Sequence, residues 1–95
     1  MAKDFKQLAQ NIMTLAGAKE NVTSVFHCMT RLRMTVKDVK KVDQKAINDL
    51  DGVLGVTYQG GQLQVIIGKD LLKVYEEVLK LGYSDGGAVD EKTGR

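Results

Sequence analysis

One cysteine among 95 residues cannot close an internal disulfide, so the chain is expected to work in a reducing compartment and to rest on an apolar core. Aromatic residues are 5% with no tryptophan, too few for base-stacking platforms. The net charge is only +2, and its 14 basic and 12 acidic residues are interspersed rather than gathered in a stripe, which argues against a nucleic-acid surface. No apolar run approaches the roughly 18 residues of a membrane span, so direct membrane insertion is not expected. Met1-Ala2-Lys3-Asp4 opens no secretory signal. Histidine occurs once, and no carboxylates or histidines cluster at ligand spacing, so neither a metal nor another cofactor is expected. Asp38, Asp43, Asp49 and Asp51 read as turn and cap residues.

What the chain does have is His27-Cys28-Met29-Thr30-Arg31-Leu32-Arg33, in which the lone cysteine is followed within five residues by a hydroxyl and two guanidinium groups. Positive charge favours the thiolate, the nucleophilic form of cysteine. Arg31 and Arg33 offer planar forks of donors for phosphoryl oxygens, and Thr30 adds a hydroxyl. Free backbone N–H groups in a tight turn would complete an anion-binding concavity. The stretch reads as a site that takes a phosphoryl group onto sulfur. The plainer alternative is that Cys28 packs in the core as a small apolar residue. Two arginines within three residues resist unpaired burial, so the cysteine beside them is expected near solvent. His27 fits a packing or orienting role better than that of a base.

The elements around this stretch follow the order α-β-β-α-β-β-α. Phe5, Leu8, Ala9, Ile12, Leu15 and Ala16 recur at helical spacing, and Gly17 suits the helix end. Val22 to His27 is rich in β-formers, and Leu32, Met34 and Val36 alternate with Arg33, Thr35 and Lys37, so two strands meet at Cys28. With Leu32, Met34 and Val36 inward, Arg33 must take the other face or the sheet edge. Asp43 caps a short helix carrying Ala46, Ile47 and Leu50, after which Asp51-Gly52 turns the chain. Val53 to Gln59 and Gln62 to Ile67 flank Gly60-Gly61, a pair suited to a two-residue hairpin turn. A last helix runs from about Leu71 to Leu81 between Asp70 and Gly82. The expected fold is an α+β two-layer sandwich, a four-stranded antiparallel sheet with three helices on one face and Gln62 and Gln64 on the partly solvated other face. Residues 1–82 form the domain, and 83–95, with three of the ten glycines and no apolar periodicity, read as a flexible tail. Strand order is not legible at this level.

The His-Cys pair is shared with protein tyrosine phosphatases, but their arginine stands six positions after the cysteine, where this chain has Met34. The stretch instead resembles the phosphorylation signature of the IIB components of the bacterial sugar phosphotransferase system, glucose superfamily, in which cysteine is followed by x-Thr-Arg-Leu-Arg. Asn21 to Asp38, and Gly52-Val53 through Gly60-Gly61-Gln62-Leu63-Gln64-Val65-Ile66-Ile67-Gly68, resemble its β-glucoside and sucrose branch, so the likeness covers about residues 4–82. The resemblance implies a phosphocysteine–sugar phosphotransferase: Cys28 accepts a phosphoryl group from phosphohistidine of a IIA domain and passes it to a sugar held by a membrane-spanning IIC component. It further implies a soluble domain on the cytoplasmic side of the bacterial membrane, with the tail leading toward IIC. Two other classes compete on the residues alone. A thiol-based phosphatase would use Cys28 and the arginines to deliver phosphate to water, and an anion-binding regulatory module would need no cysteine.

Overall fold

The computed structural model describes residues 4–88. Helix α1 (Phe5–Leu15) begins where the Asp4 carboxylate accepts the N–H of Gln7 and turns Leu8, Ala9, Ile12 and Met13 inward. The short α2 (Ala18–Asn21) follows Gly17, whose φ of +101° suits glycine. Strands β1 (Val22–His27) and β2 (Arg31–Val36) form the first hairpin, and β3 (Gly55–Gln59) and β4 (Gln62–Ile66) form the second. Between the hairpins lie a single 3-10 turn at Val39–Lys41 and helix α3 (Gln44–Asn48), the latter capped by Asp43, which accepts the N–H of Ala46. Helix α4 (Leu71–Lys80) starts at Asp70 and stops before Gly82, at φ +95°. Gly60 and Gly61 both have positive φ, 58° and 81°, the requirement of the two-residue turn joining β3 to β4.

The two hairpins join through β2 and β4, antiparallel, with Leu32 opposite Val65 and Arg33 opposite Gln64. This makes the expected four-stranded antiparallel sheet, here in the order β3-β4-β2-β1. Val25, Leu32, Met34, Val36, Leu63 and Val65 turn to the helices and close a core with Ile12, Met13, Ile47, Leu71, Val74 and Val78. Each of these inner side chains is worth about 2–5 kcal/mol against truncation to alanine. Strand β1 departs from simple alternation: Val22 and Val25, three apart, are both buried. A bulge between Val22 and Ser24 absorbs the extra residue and restores the inward register.

The segment read as the start of a tail supplies a fifth strand. Residues Asp85–Ala88 form β5, which runs parallel to β1 at the edge of the sheet. Its sequence, Asp-Gly-Gly-Ala, has almost no β-forming side chains, so pairing rests on backbone hydrogen bonds that composition does not reveal. Gly86 lies so close to the ring of Phe26 that a Cβ could not be accommodated. Residues 89–95 of the expected tail lie outside the described residues.

Asn21 ties the start of the sheet to the helices. Its side chain, 1% exposed, donates to the carbonyls of Ala16 (2.9 Å) and Asp38 (3.0 Å) and accepts the N–H of Asp38 (2.8 Å). These bonds hold the α1–α2 corner against the end of β2, and Gly17 lacks a Cβ because it would fall 2.5 Å from that of Asn21. Losing the amide strands buried backbone groups, so Asn21→Ala should destabilise the protein by about 2–3 kcal/mol. Urea unfolding measures this, and an unchanged midpoint would show that the bonds contribute nothing net.

Candidate functional site

Cys28, Met29 and Thr30 connect β1 to β2, and the turn closes where the Cys28 N–H donates to the Arg31 carbonyl at 3.1 Å. The Cys28 thiol lies 3.8 Å from the same carbonyl oxygen. The tip of the turn is open: Met29 is 83% exposed and Thr30 is exposed too. Its base is fixed. The carbonyl of Thr30 accepts two N–H groups, from Ile67 and Gly68, each at 2.9 Å, so the chain leaving β4 pins the cysteine turn to the sheet.

Cys28 is less accessible than its neighbours led one to expect. It is 5% exposed, and Arg33 is itself 9% exposed, so the argument that two arginines keep the cysteine near solvent fails at Arg33. The physical reason is the sheet. Arg33 sits mid-strand, between Phe26 on β1 and Gln64 on β4, and its neighbours cover the aliphatic stem and the Nε.

Both guanidinium groups engage the glutamines of β4. Arg31 Nη1 donates to Gln64 Oε1 at 2.8 Å, and Arg33 Nη1 to Gln62 Oε1 at 3.4 Å. Arg33 Nε is buried and has no hydrogen-bond partner among the described residues. No carboxylate among the described residues pairs with either arginine, so their charge is left for an anion. Their alternation with Leu63 and Val65 predicts the two glutamines on this sheet face. Their tie to the arginines depends on β4 lying beside β2, which hairpin signals do not specify.

His27 packs rather than reaching the turn. Its ring lies 4.4 Å from that of Tyr75 on α4, tilted by 59°, while the Tyr75 hydroxyl donates to the carbonyl of Val25. Leu54 (73% exposed) and Leu72 (58% exposed) stand near the pinned segment: Leu54 beside Gly68, and Leu72 in the first turn of α4. Of the turn's own residues, Met29 is the exposed apolar side chain. Among the described residues there is no group of histidines, cysteines and carboxylates able to hold a metal ion, and no helix long and apolar enough to cross a membrane. The open groove lined by Gln7, Asn11, Thr14, Lys19 and Tyr83 shares no residue with this turn.

Gly68 governs the pinning. Its φ is +93°, and a Cβ there would stand 3.3 Å from Leu54 Cδ1. Gly68→Ala should cost about 1–3 kcal/mol through the backbone conformation alone. Hydrogen exchange of the Ile67 and residue-68 amides should accelerate more than that of core β2; equal acceleration throughout would mean that the pin is not a local device.

The chain is similar to known proteins. Residues 10–43 match the family described as phosphotransferase system, EIIB. Over 77 residues the chain is 43% identical to the PTS system beta-glucoside-specific EIIBCA component of Bacillus subtilis, covering 81% of this chain and 13% of that protein. It is 42% identical to the sucrose-specific EIIBC component of Staphylococcus xylosus, covering 93% of this chain and 18% of that one. With the arbutin-, cellobiose-, and salicin-specific EIIBC component of Escherichia coli the identity is 40%, over 85% of this chain and 17% of the other. The chain thus spans 13% to 18% of the length of these relatives. The crystal structure of one domain of the PTS system, IIabc component, from Clostridium difficile is similar with a TM-score of 0.84 and 34% identity, covering 92% of each chain.

Proposed function

The chain belongs to the EIIB family of the phosphotransferase system, and on that premise we propose that Cys28 carries a phosphoryl group between a IIA donor and a sugar held by a IIC component during uptake. One observation carries this reading: the lone thiol lies at the base of a pinned turn whose two arginines have no acidic partner among the described residues. The Cys28 sulfur, as thiolate, attacks the phosphorus of a phosphohistidine on IIA; the S–P bond forms as the N–P bond breaks and the imidazole leaves. In the second step a sugar hydroxyl attacks the same phosphorus, the O–P bond forms, the S–P bond breaks, and the hydroxyl proton passes to a base on IIC. Arg31 and Arg33 neutralise the transferred oxygens, and Thr30 adds a hydroxyl at the exposed tip. His27 orients β1 through Tyr75.

The burial of Cys28 supports transfer within an assembled complex. A thiol 5% exposed is poorly placed to hand a phosphoryl group to bulk water, as a phosphatase would. Met29, Leu54 and Leu72 offer apolar contact at the rim for IIA and then IIC, each covering the turn in its step. The relatives with IIB and IIC, or with IIB, IIC and IIA, named together in one protein support this succession of partners. Such a domain works on the cytoplasmic side of the membrane.

Incubation with a phosphorylated IIA domain, with and without membranes containing IIC and sugar, tests the relay. Mass analysis should place one phosphoryl group on Cys28, stable until acceptor is added and absent from Cys28→Ser. Phosphate on His27, or release to water without acceptor, would overturn the assignment.

The arginines should respond unequally. Arg31→Lys loses the planar fork at a partly exposed site, so transfer should slow by about 100-fold. Its stability should stay within about 0.5 kcal/mol of the parent. Arg33→Lys should slow transfer comparably and also lower the melting temperature, because the replaced group is buried. Normal relay rates in both variants would show that the guanidinium groups do not serve the phosphoryl group.

A further inference from the structure

We propose that Gln64 is a positioning residue that aims Arg31 without consuming its charge. The inference rests on the phosphoryl-transfer reading above and adds to it a residue outside the Cys28 turn. Gln64 is 7% exposed, unusual for a glutamine, and buried amides persist where they are hydrogen-bonded. Its Oε1 accepts from Arg31 Nη1 at 2.8 Å, the shorter of the two glutamine–arginine bonds. The register makes the contact possible. Arg31 pairs with Ile66 and Arg33 with Gln64, so Gln64 is the diagonal neighbour of Arg31, within reach only because both side chains are long.

The chemistry of the partner matters as much as its position. A free arginine at the end of a hairpin samples many rotamers, and holding it in advance removes an ordering cost from the transfer step. A carboxylate would hold it more firmly but would cancel the charge that phosphoryl oxygens need and repel them. A neutral amide oxygen fixes one Nη and leaves the guanidinium its full charge and its remaining N–H donors. Arg33 is held differently. Its bond to Gln62 is long, at 3.4 Å, and burial of its stem and Nε restrains it instead. The two guanidinium groups are thus set by separate devices, and Gln64 serves Arg31.

The test is single-turnover phosphorylation of the full chain by a phosphorylated IIA domain, with the rate constant at saturating donor read separately from the donor concentration at half-saturation. Gln64→Met removes the acceptor at nearly constant volume, and Gln64→Glu keeps an acceptor and the shape while adding charge. Both variants should lower the saturating rate constant about tenfold with little change in half-saturation. Gln64→Glu should keep or raise the melting temperature, a combination that a purely structural role does not produce. In an Arg31→Lys background, Gln64→Met should slow transfer by less than about twofold further, since the residue it positions is already gone. Wild-type rates in Gln64→Met or in Gln64→Glu, or an undiminished further loss in the Arg31→Lys background, would overturn the proposal. Should Gln64→Met fail to fold, the neutral Gln64→Ala, alone and with Arg31→Lys, decides by the same criteria. Wild-type protein that takes no phosphoryl group would overturn the Cys28 reading; normal labelling with indifferent Gln64 variants would overturn only the positioning role.

Discussion

The pairing of β2 with β4 is the constraint on which the rest of the molecule depends. It joins two hairpins that are each local in sequence into one sheet, and it places Leu32, Met34, Leu63 and Val65 side by side against the helices. Isolated two-stranded hairpins are marginal in water, so neither half would keep its shape without this seam. At its upper end the seam runs into the Thr30 carbonyl, which takes the N–H groups of both Ile67 and Gly68. The turn that carries Cys28 is therefore not a free loop on a scaffold. Its geometry is set by the last bonds of the central strand pair.

The same seam decides the electrostatics. On its outer face a row of arginines meets a row of glutamines, Arg31 with Gln64 and Arg33 with Gln62. A core optimised for stability alone would not keep a nearly buried guanidinium with an unpartnered Nε, because burying an uncompensated charge is costly. Neutral partners leave that cost in place and keep the face positive. If the proposed function holds, the stability given up at Arg33 becomes attraction available to the transferred oxygens. The attraction must remain moderate. On the proposed function, a carrier that held phosphocysteine too tightly would stop the proposed relay.

Local signals were legible because the physics behind them is local. Asp43 caps a helix by accepting an N–H three residues on, and Gly60-Gly61 adopts the positive φ of its turn. Leu32, Met34 and Val36 of β2 all turn inward as their alternation with polar residues predicts, though Arg33 between them is buried too. Where local pattern and tertiary structure part, a specific non-local cause appears. The bulge at Thr23 shifts β1 so that Val22 and Val25 both face inward. Strand β5 exists because the edge of β1 accepts a backbone, and Gly86 clears the ring of Phe26. Both depend on what lies across the sheet, which no window of neighbouring residues contains.

The sequence by itself determined which groups stand together: a thiol, a hydroxyl and two guanidinium groups within six residues, on a turn between two strands, in a pattern that resembles one family of phosphoryl carriers. Residue type and spacing suffice for that, because the groups of the proposed site lie on one short segment. Only the tertiary structure decided how those groups are held. The order β3-β4-β2-β1-β5 set Gln64 and Gln62 beside the arginines, buried Arg33, withdrew Cys28 from solvent and hung the turn on Ile67 and Gly68. Strand order arises from the joint packing of all the inward faces at once, and so the partners of the reactive groups become visible only when the sheet is assembled.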